Sequence, residues 1–119
     1  MNMDHVKVAD IDGLHDDGWC SQLLRARVVA EKACGNIKAN IWIPAQPGHT
    51  HPSVLTFTIE GGEPALFNIP YDTPTELSVP AERRVGDEIV FRVFCSNRLV
   101  NTGDELRQLS FVLLGLAVA

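Results

Sequence analysis

The fold of this chain is decided by residues 55–69, which read LTFTIEGGEPALFNI. Apolar and polar side chains alternate over residues 55–60, which is the pattern of a strand with one buried face. Gly61 and Gly62 supply the positive φ angles that a tight two-residue turn requires, so the segment predicts a β-hairpin. Ala65–Ile69 is the returning strand of this hairpin.

The same alternation recurs along most of the chain. Residues 22–32 have the composition of a helix, but we predict a strand there because the neighbouring segments are strands and tertiary context overrides local propensity. Residues 88–95 are apolar on both faces except at Arg92, which predicts a central strand. In all, strands are predicted at residues 6–11, 22–32, 37–43, 55–59, 65–69, 76–79, 88–95 and 107–118.

These eight short strands, separated by turn-forming residues, predict an all-β fold. We expect a two-sheet antiparallel β-sandwich, jelly-roll-like, that forms one domain over residues 1–119. With 119 residues and 45% hydrophobic content, the chain can build one core. The longest break in the pattern is the proline-rich loop at residues 44–52.

Charge and cysteine content exclude several classes of function. The formal net charge of −5 argues against nucleic acid and against an anionic membrane surface, since both attract basic proteins. The chain starts with an acidic segment without an apolar run, so no signal peptide is expected. The three cysteines form no C-x-x-C pair, which favours buried thiols in a reducing compartment. We therefore expect a cytoplasmic protein.

Two segments raise the question of metal binding. Residues 10–18, DIDGLHDDG, contain four acids and could hold calcium through carboxylate oxygens. The spacing of a helix-loop-helix calcium site is absent, and turn-forming aspartates explain most of the pattern, so structural calcium stays an alternative. His49 and His51 lie in the proline-rich loop without a nearby Cys or acid, which predicts a solvated loop. We expect neither a metal nor a cofactor.

No catalytic pattern is visible in the sequence. None of the five serines lies in a G-x-S-x-G motif, and no phosphate-binding glycine loop precedes a helix. We therefore predict that the protein is not an enzyme and that it acts by binding.

Two fragments carry a resemblance to a known type of module. The first is Asp16-Asp17-Gly18-Trp19, and the second is the segment GDELRQLSF at residues 103–111. Together they resemble the two ends of the β-sandwich accessory module found with bacterial glycosyltransferases and surface-polysaccharide proteins. An extra residue separates Asp104 from Arg107, which departs from the pattern of that module. The resemblance implies a jelly-roll-like sandwich that recognises glycan or tethers glycan-synthesis machinery.

The candidate ligand-binding residues lie on the outer side of one strand. Ile37, Ala39, Ile41 and Ile43 point to the core, which places Lys38, Asn40 and Trp42 on the other face. A Trp beside polar side chains can hold a sugar ring, so Trp42, Asn40, Lys38 and Arg92 are the predicted glycan-binding residues, with Arg25 or Arg27 as further neighbours. We expect Trp42 to be partly exposed, although the proline-rich loop could cover it.

Three residues are predicted to have structural roles. Trp19 should bury its ring in the core and donate its indole N–H to a backbone carbonyl. Asp16 or Asp17 should contact Arg107 and join the ends of the chain, with Asp104 as the competing partner of Arg107.

The main alternative to glycan binding is a protein-interaction or oligomerisation module without a small-molecule ligand. The predicted partner is thus a glycan or a glycan-synthesis protein, and self-association into a homodimer stays open.

Overall fold

The computed structural model of the chain describes residues 1–49, 51–99 and 107–119, and this part contains strands and no helix. The all-β prediction is confirmed. Nine strands are present in the described residues: β1 (Asn2–Asp4), β2 (Val6–Leu14), β3 (Trp19–Ala30), β4 (Cys34–Trp42), β5 (Ser53–Ile59), β6 (Ala65–Ile69), β7 (Thr75–Arg83), β8 (Glu88–Cys95) and β9 (Phe111–Val118).

The nine strands form one hydrogen-bonded sheet in the order β6-β5-β8-β3-β9-β4-β7, with β2 beside β3 and β1 beside β9. All strand pairs are antiparallel except the pair formed by β1 and β9, which is parallel. The first two residues of β3 pair with β9, whereas residues 23–29 of β3 pair with β8, so β3 joins the two halves of the sheet. The sheet is nearly closed and barrel-like. This single sheet does not confirm the predicted sandwich of two jelly-roll sheets, which stays a prediction.

The core fills the inside of this curved sheet. Side chains alternate between buried and exposed along β4, β7 and β8, as the sequence pattern predicts. The rings of Phe57 and Phe91 stack at the centre, with 4.9 Å between their centroids. The largest fully buried side chains are Phe57, Phe111, Leu24, Ile37, Ile41, Ile43, Leu55, Ile69, Ile89 and Leu113.

The structure has one strand more than predicted, and several strands differ in length; β9, for example, begins at Phe111 and not at residue 107. The ninth strand, β1, has only three residues, too few to show an alternating pattern. The strand predicted at residues 76–79 extends to Arg83 and passes through Pro80. Proline is tolerated because β7 lies at the end of the strand order, where its outer edge has no ladder partner among the described strands.

Strand β8 is central, as predicted, but only one of its faces is buried. Ile89, Phe91 and Val93 point into the core, while Val90 and Phe94 are exposed. The apolar residues on its outer face are exposed although the strand is central, because no other described element covers the outer side of this half of the sheet. An apolar residue on that side is therefore exposed to solvent.

The strand prediction for residues 22–32 is confirmed through Ala30, despite the helical composition. The hairpin between β5 and β6 is also present, but its turn is longer than predicted. Only Gly61 has a positive φ, of 82°, and the N–H of Gly62 donates to the carbonyl of Ile59 at 2.8 Å. This bond closes a four-residue turn, which needs a left-handed residue at one position and not at two.

Candidate functional site

Two tryptophans lie side by side on the outer surface of the sheet. Trp19 of β3 and Trp42 of β4 are both register partners of Val112, because β9 runs between these two strands. Their ring centroids are 6.4 Å apart and the ring planes meet at 64°, which is an edge-to-face contact. Both residues are partly exposed. The exposure predicted for Trp42 is therefore present.

Lys38 and Asn40 lie on the same side of β4 as Trp42, at alternate positions, and both are partly exposed. The Nζ atom of Lys38 is 3.5 Å from a carboxylate oxygen of Glu76 on β7. A shallow groove of about 150 Å³ runs beside Lys38 and Asn40, and Asn2, Asp4, Glu76 and Leu114 contribute to its walls. We call the surface formed by Trp19, Trp42, Asn40 and Lys38 the tryptophan face.

A bulge in β9 shapes this surface. Asn40 pairs with Gly115 and Ile41 pairs with Leu113, so Leu114 has no register partner on β4. Leu114 is partly exposed and lines the groove beside Asn40. The backbone of Asn2 approaches Gly115 so closely that a Cβ there would lie 3.0 Å from the Asn2 carbonyl oxygen. The glycine therefore lets β1 pair against β9 at the edge of the tryptophan face.

The predicted contact between Asp17 and Arg107 is present. The Nη1 atom of Arg107 donates to Oδ2 of Asp17 at 2.9 Å, and the backbone N–H of Trp19 donates to Oδ1 at 3.3 Å. Partial desolvation raises the pKa of Asp17, but these two bonds outweigh it and the net pKa is lowered. The bond joins the turn before β3 to the segment before β9. Asp104 and the rest of residues 103–106 lie outside the described residues.

The prediction that Trp19 buries its ring in the core was wrong. The core position at the start of β3 is taken by Cys20, which is fully buried, so alternation turns Trp19 outward. No hydrogen bond of its indole N–H is found in the described part of the chain. Trp19 thus belongs to the same surface as Trp42. The alternation of residues 19 and 20 indicates this direction, but sequence alone does not show that β9 brings the two rings together.

Arg92 does not belong to the tryptophan face. It lies on β8, and β3 and β9 separate β8 from β4 in the strand order. The register partner of Arg92 is Arg25, and Arg27 pairs with Val90 on the same part of the sheet. The prediction that arginines surround Trp42 is therefore wrong. It required β8 to be near β4, and strand order is a tertiary property.

The proline-rich loop after β4 is held by contacts with the segment after β6. The His49 ring stacks on Tyr71 at 4.2 Å, and the N–H of Ala45 donates to Oδ1 of Asp72 at 3.1 Å. Trp42 keeps partial exposure beside this loop.

The structure also locates the groups considered for metal binding and for chemistry. Residues 10–14 of the acidic segment belong to β2 and not to a loop. Over residues 1–49, 51–99 and 107–119, no group of three His, Cys, Asp or Glu side chains is placed to hold a metal ion. All three cysteines are free, and burial raises the pKa of Cys20 to about 12. The tryptophan face presents partly exposed aromatic and polar side chains, which suit it to contact a ligand.

The described ranges contain no helix that is long and apolar enough to cross a bilayer. Comparison with protein-family models, with curated proteins and with solved structures gives no match for this chain.

Proposed function

We propose that the protein is a non-catalytic module that binds glycan through the tryptophan face. The observation that carries this proposal is the edge-to-face pair of Trp19 and Trp42, partly exposed and next to Asn40 and the Lys38–Glu76 ion pair. An aromatic ring offers an apolar surface to the C–H face of a sugar, and nearby polar groups can bond its hydroxyls. Lys38 supplies N–H donors, Glu76 supplies acceptors, and Asn40 supplies both.

The rigidity of the site supports this role. Trp42, Asn40 and Lys38 project from one strand, which pairs with β9 as far as Trp42 and with β7 as far as Ile41. Trp19 is fixed through the hydrogen bond of its backbone N–H to Asp17. Side chains held by paired strands lose little freedom on binding, and this favours affinity for a flexible sugar chain.

The proposal includes the setting implied by the sequence resemblance. We suggest that the protein acts in a bacterial surface-polysaccharide context and that its partner is a glycan or a glycan-synthesis protein. We also suggest that its fold is related to the jelly-roll sandwich. The free cysteines support a reducing compartment such as the cytoplasm.

The experiment is a fluorescence titration with bacterial surface polysaccharides. Trp19 and Trp42 are the two tryptophans of the chain, so tryptophan emission, excited selectively at a wavelength that Tyr71 does not absorb, reports on the tryptophan face. A bound sugar should change the emission of the native protein, and Asn40→Ala should weaken binding while both fluorophores remain. Leu66→Ala, an exposed substitution on another part of the sheet, is the matched control. Binding measured by calorimetry that is the same for folded Trp42→Ala as for the native protein would exclude this face.

The second candidate function is a protein-interaction module or a homodimer. A specific observation favours it: Leu66 and Phe94 are 69% and 48% exposed on the outer side of β6 and β8. Light scattering at several protein concentrations separates a monomer from a self-associating chain. A dimer that Phe94→Ser dissociates, with no polysaccharide response, would favour this candidate over glycan binding.

A further inference from the structure

A row of side chains crosses four strands on the outer side of the sheet, away from the tryptophan face. Leu66 of β6 is opposite Thr56 of β5, which is opposite Phe94 of β8, which is opposite Leu23 of β3. Val54, 41% exposed, lies two residues from Thr56 on β5. Folded proteins expose few contiguous apolar patches, and those they do expose often mark a binding site.

The next row on the same surface carries two arginines. Thr58 is opposite Arg92, and Arg92 is opposite Arg25. Like charges directly across a ladder destabilise a sheet. Among the ion pairs and hydrogen bonds of the described residues, none includes the guanidinium of Arg25 or Arg92. Asp12 is the register partner of Arg25 on β2, but the two do not form an ion pair.

A groove of about 370 Å³ lies beside the two arginines, with Thr58, Glu60 and Val90 in its walls. Two guanidinium groups without carboxylate partners can each donate two parallel hydrogen bonds to an external carboxylate. We call Arg25, Arg92, Phe94, Leu66 and Leu23 the arginine–phenylalanine surface.

We infer that the arginine–phenylalanine surface docks an extended segment of a partner protein. In this segment an acidic residue lies two positions from an apolar residue, so that both side chains face the surface. The arginine row and the apolar row are two residues apart along each strand, which is about 7 Å. An acid and an apolar residue two positions apart on an extended segment have the same separation. Aromatic and arginine side chains are also the residues that contribute most at protein interfaces.

Other occupants fit these residues less well. Glu60 lines the groove beside the arginines, Asp12 is the register partner of Arg25, and the net charge is −5, so a polyanion such as nucleic acid would be repelled. The apolar row spans three strand intervals, about 14 Å across, which exceeds what a small ion contacts. Strand β3 contributes Trp19 to the tryptophan face and Leu23 and Arg25 to the arginine–phenylalanine surface, but the two surfaces share no residue, so the inference does not depend on the proposed glycan function.

The experiment is a selection from a displayed library of random seven-residue peptides on the immobilised protein. Enriched peptides are synthesised, and their dissociation constants are measured by fluorescence polarisation. We expect the enriched sequences to contain Asp or Glu two positions from Phe, Leu or Trp. Arg25→Glu combined with Arg92→Glu, and separately Phe94→Ser, should each weaken binding about tenfold or more.

Lys7→Glu combined with Arg84→Glu makes the same change in charge at exposed positions elsewhere and should leave binding unchanged. Circular dichroism checks the fold of each variant. If charge reversal disturbs the fold, the double variant Arg25→Gln and Arg92→Gln replaces it in the binding measurement. The inference would be overturned if the selection enriched no peptides or enriched peptides without acidic residues. It would also be overturned if the arginine variants bound the enriched peptides as tightly as the native protein does. A dimer in light scattering that Phe94→Ser dissociates would overturn it in favour of a second copy of the chain.

Discussion

The contact between Trp19 and Trp42 can be measured by a double-mutant cycle in which each is replaced by alanine, singly and together. An edge-to-face aromatic pair contributes about 0.5–1.5 kcal/mol beyond the area it buries. Truncating a fully buried Trp costs about 3–5 kcal/mol, and because both rings are partly exposed we expect about 1–3 kcal/mol for each single variant. The double variant should therefore lose less stability than the two single losses added together, by about 0.5–1.5 kcal/mol.

The assay is urea unfolding followed by far-ultraviolet circular dichroism, since fluorescence is lost with the tryptophans. A matched control is the cycle of Trp42→Ala with Leu66→Ala, two residues on different parts of the sheet, for which additive losses are expected. Additive losses for Trp19 and Trp42 would refute the contact. A loss of 3–5 kcal/mol for Trp19→Ala alone would instead indicate a fully buried ring.

Three further predictions concern the frame around the site. Gly13 has a φ of 89° and a Cβ there would collide with the Leu23 carbonyl oxygen, so Gly13→Ala should lower the free energy of unfolding by at least about 2 kcal/mol in urea unfolding. Because the pKa of Asp17 is lowered in the folded protein, its bond with Arg107 stabilises the fold above the unfolded-state pKa and fades as pH falls through the lowered value. Asp17→Asn should therefore unfold at lower urea than the native protein at pH 7, and the difference should vanish in strong acid. Cys20, with a pKa of about 12, should react with a thiol reagent at neutral pH only after denaturant is added.

Local patterns were sufficient to predict most strands and the direction of most side chains. Alternation at residues 37–43 placed Trp42 and Asn40 outside, because successive residues of a strand must point to opposite faces. It also predicted β3 against its helical composition, since the neighbouring segments were strands. The exposed side of Trp42 was thus within reach of sequence reasoning, and the Asp17–Arg107 contact was predicted from the two end fragments that carry the resemblance.

Strand order and closure were decided by the tertiary structure alone. The alternating pattern of a strand says which face is buried but not which strand lies beside it, so the sequence could not show that β9 places Trp19 next to Trp42. For the same reason Arg92 was predicted beside Trp42 and is found opposite Arg25. Pairing between strands depends on contacts between residues far apart in the chain. The outward direction of each side chain is therefore a property of the sequence, and its neighbours are a property of the nearly closed sheet.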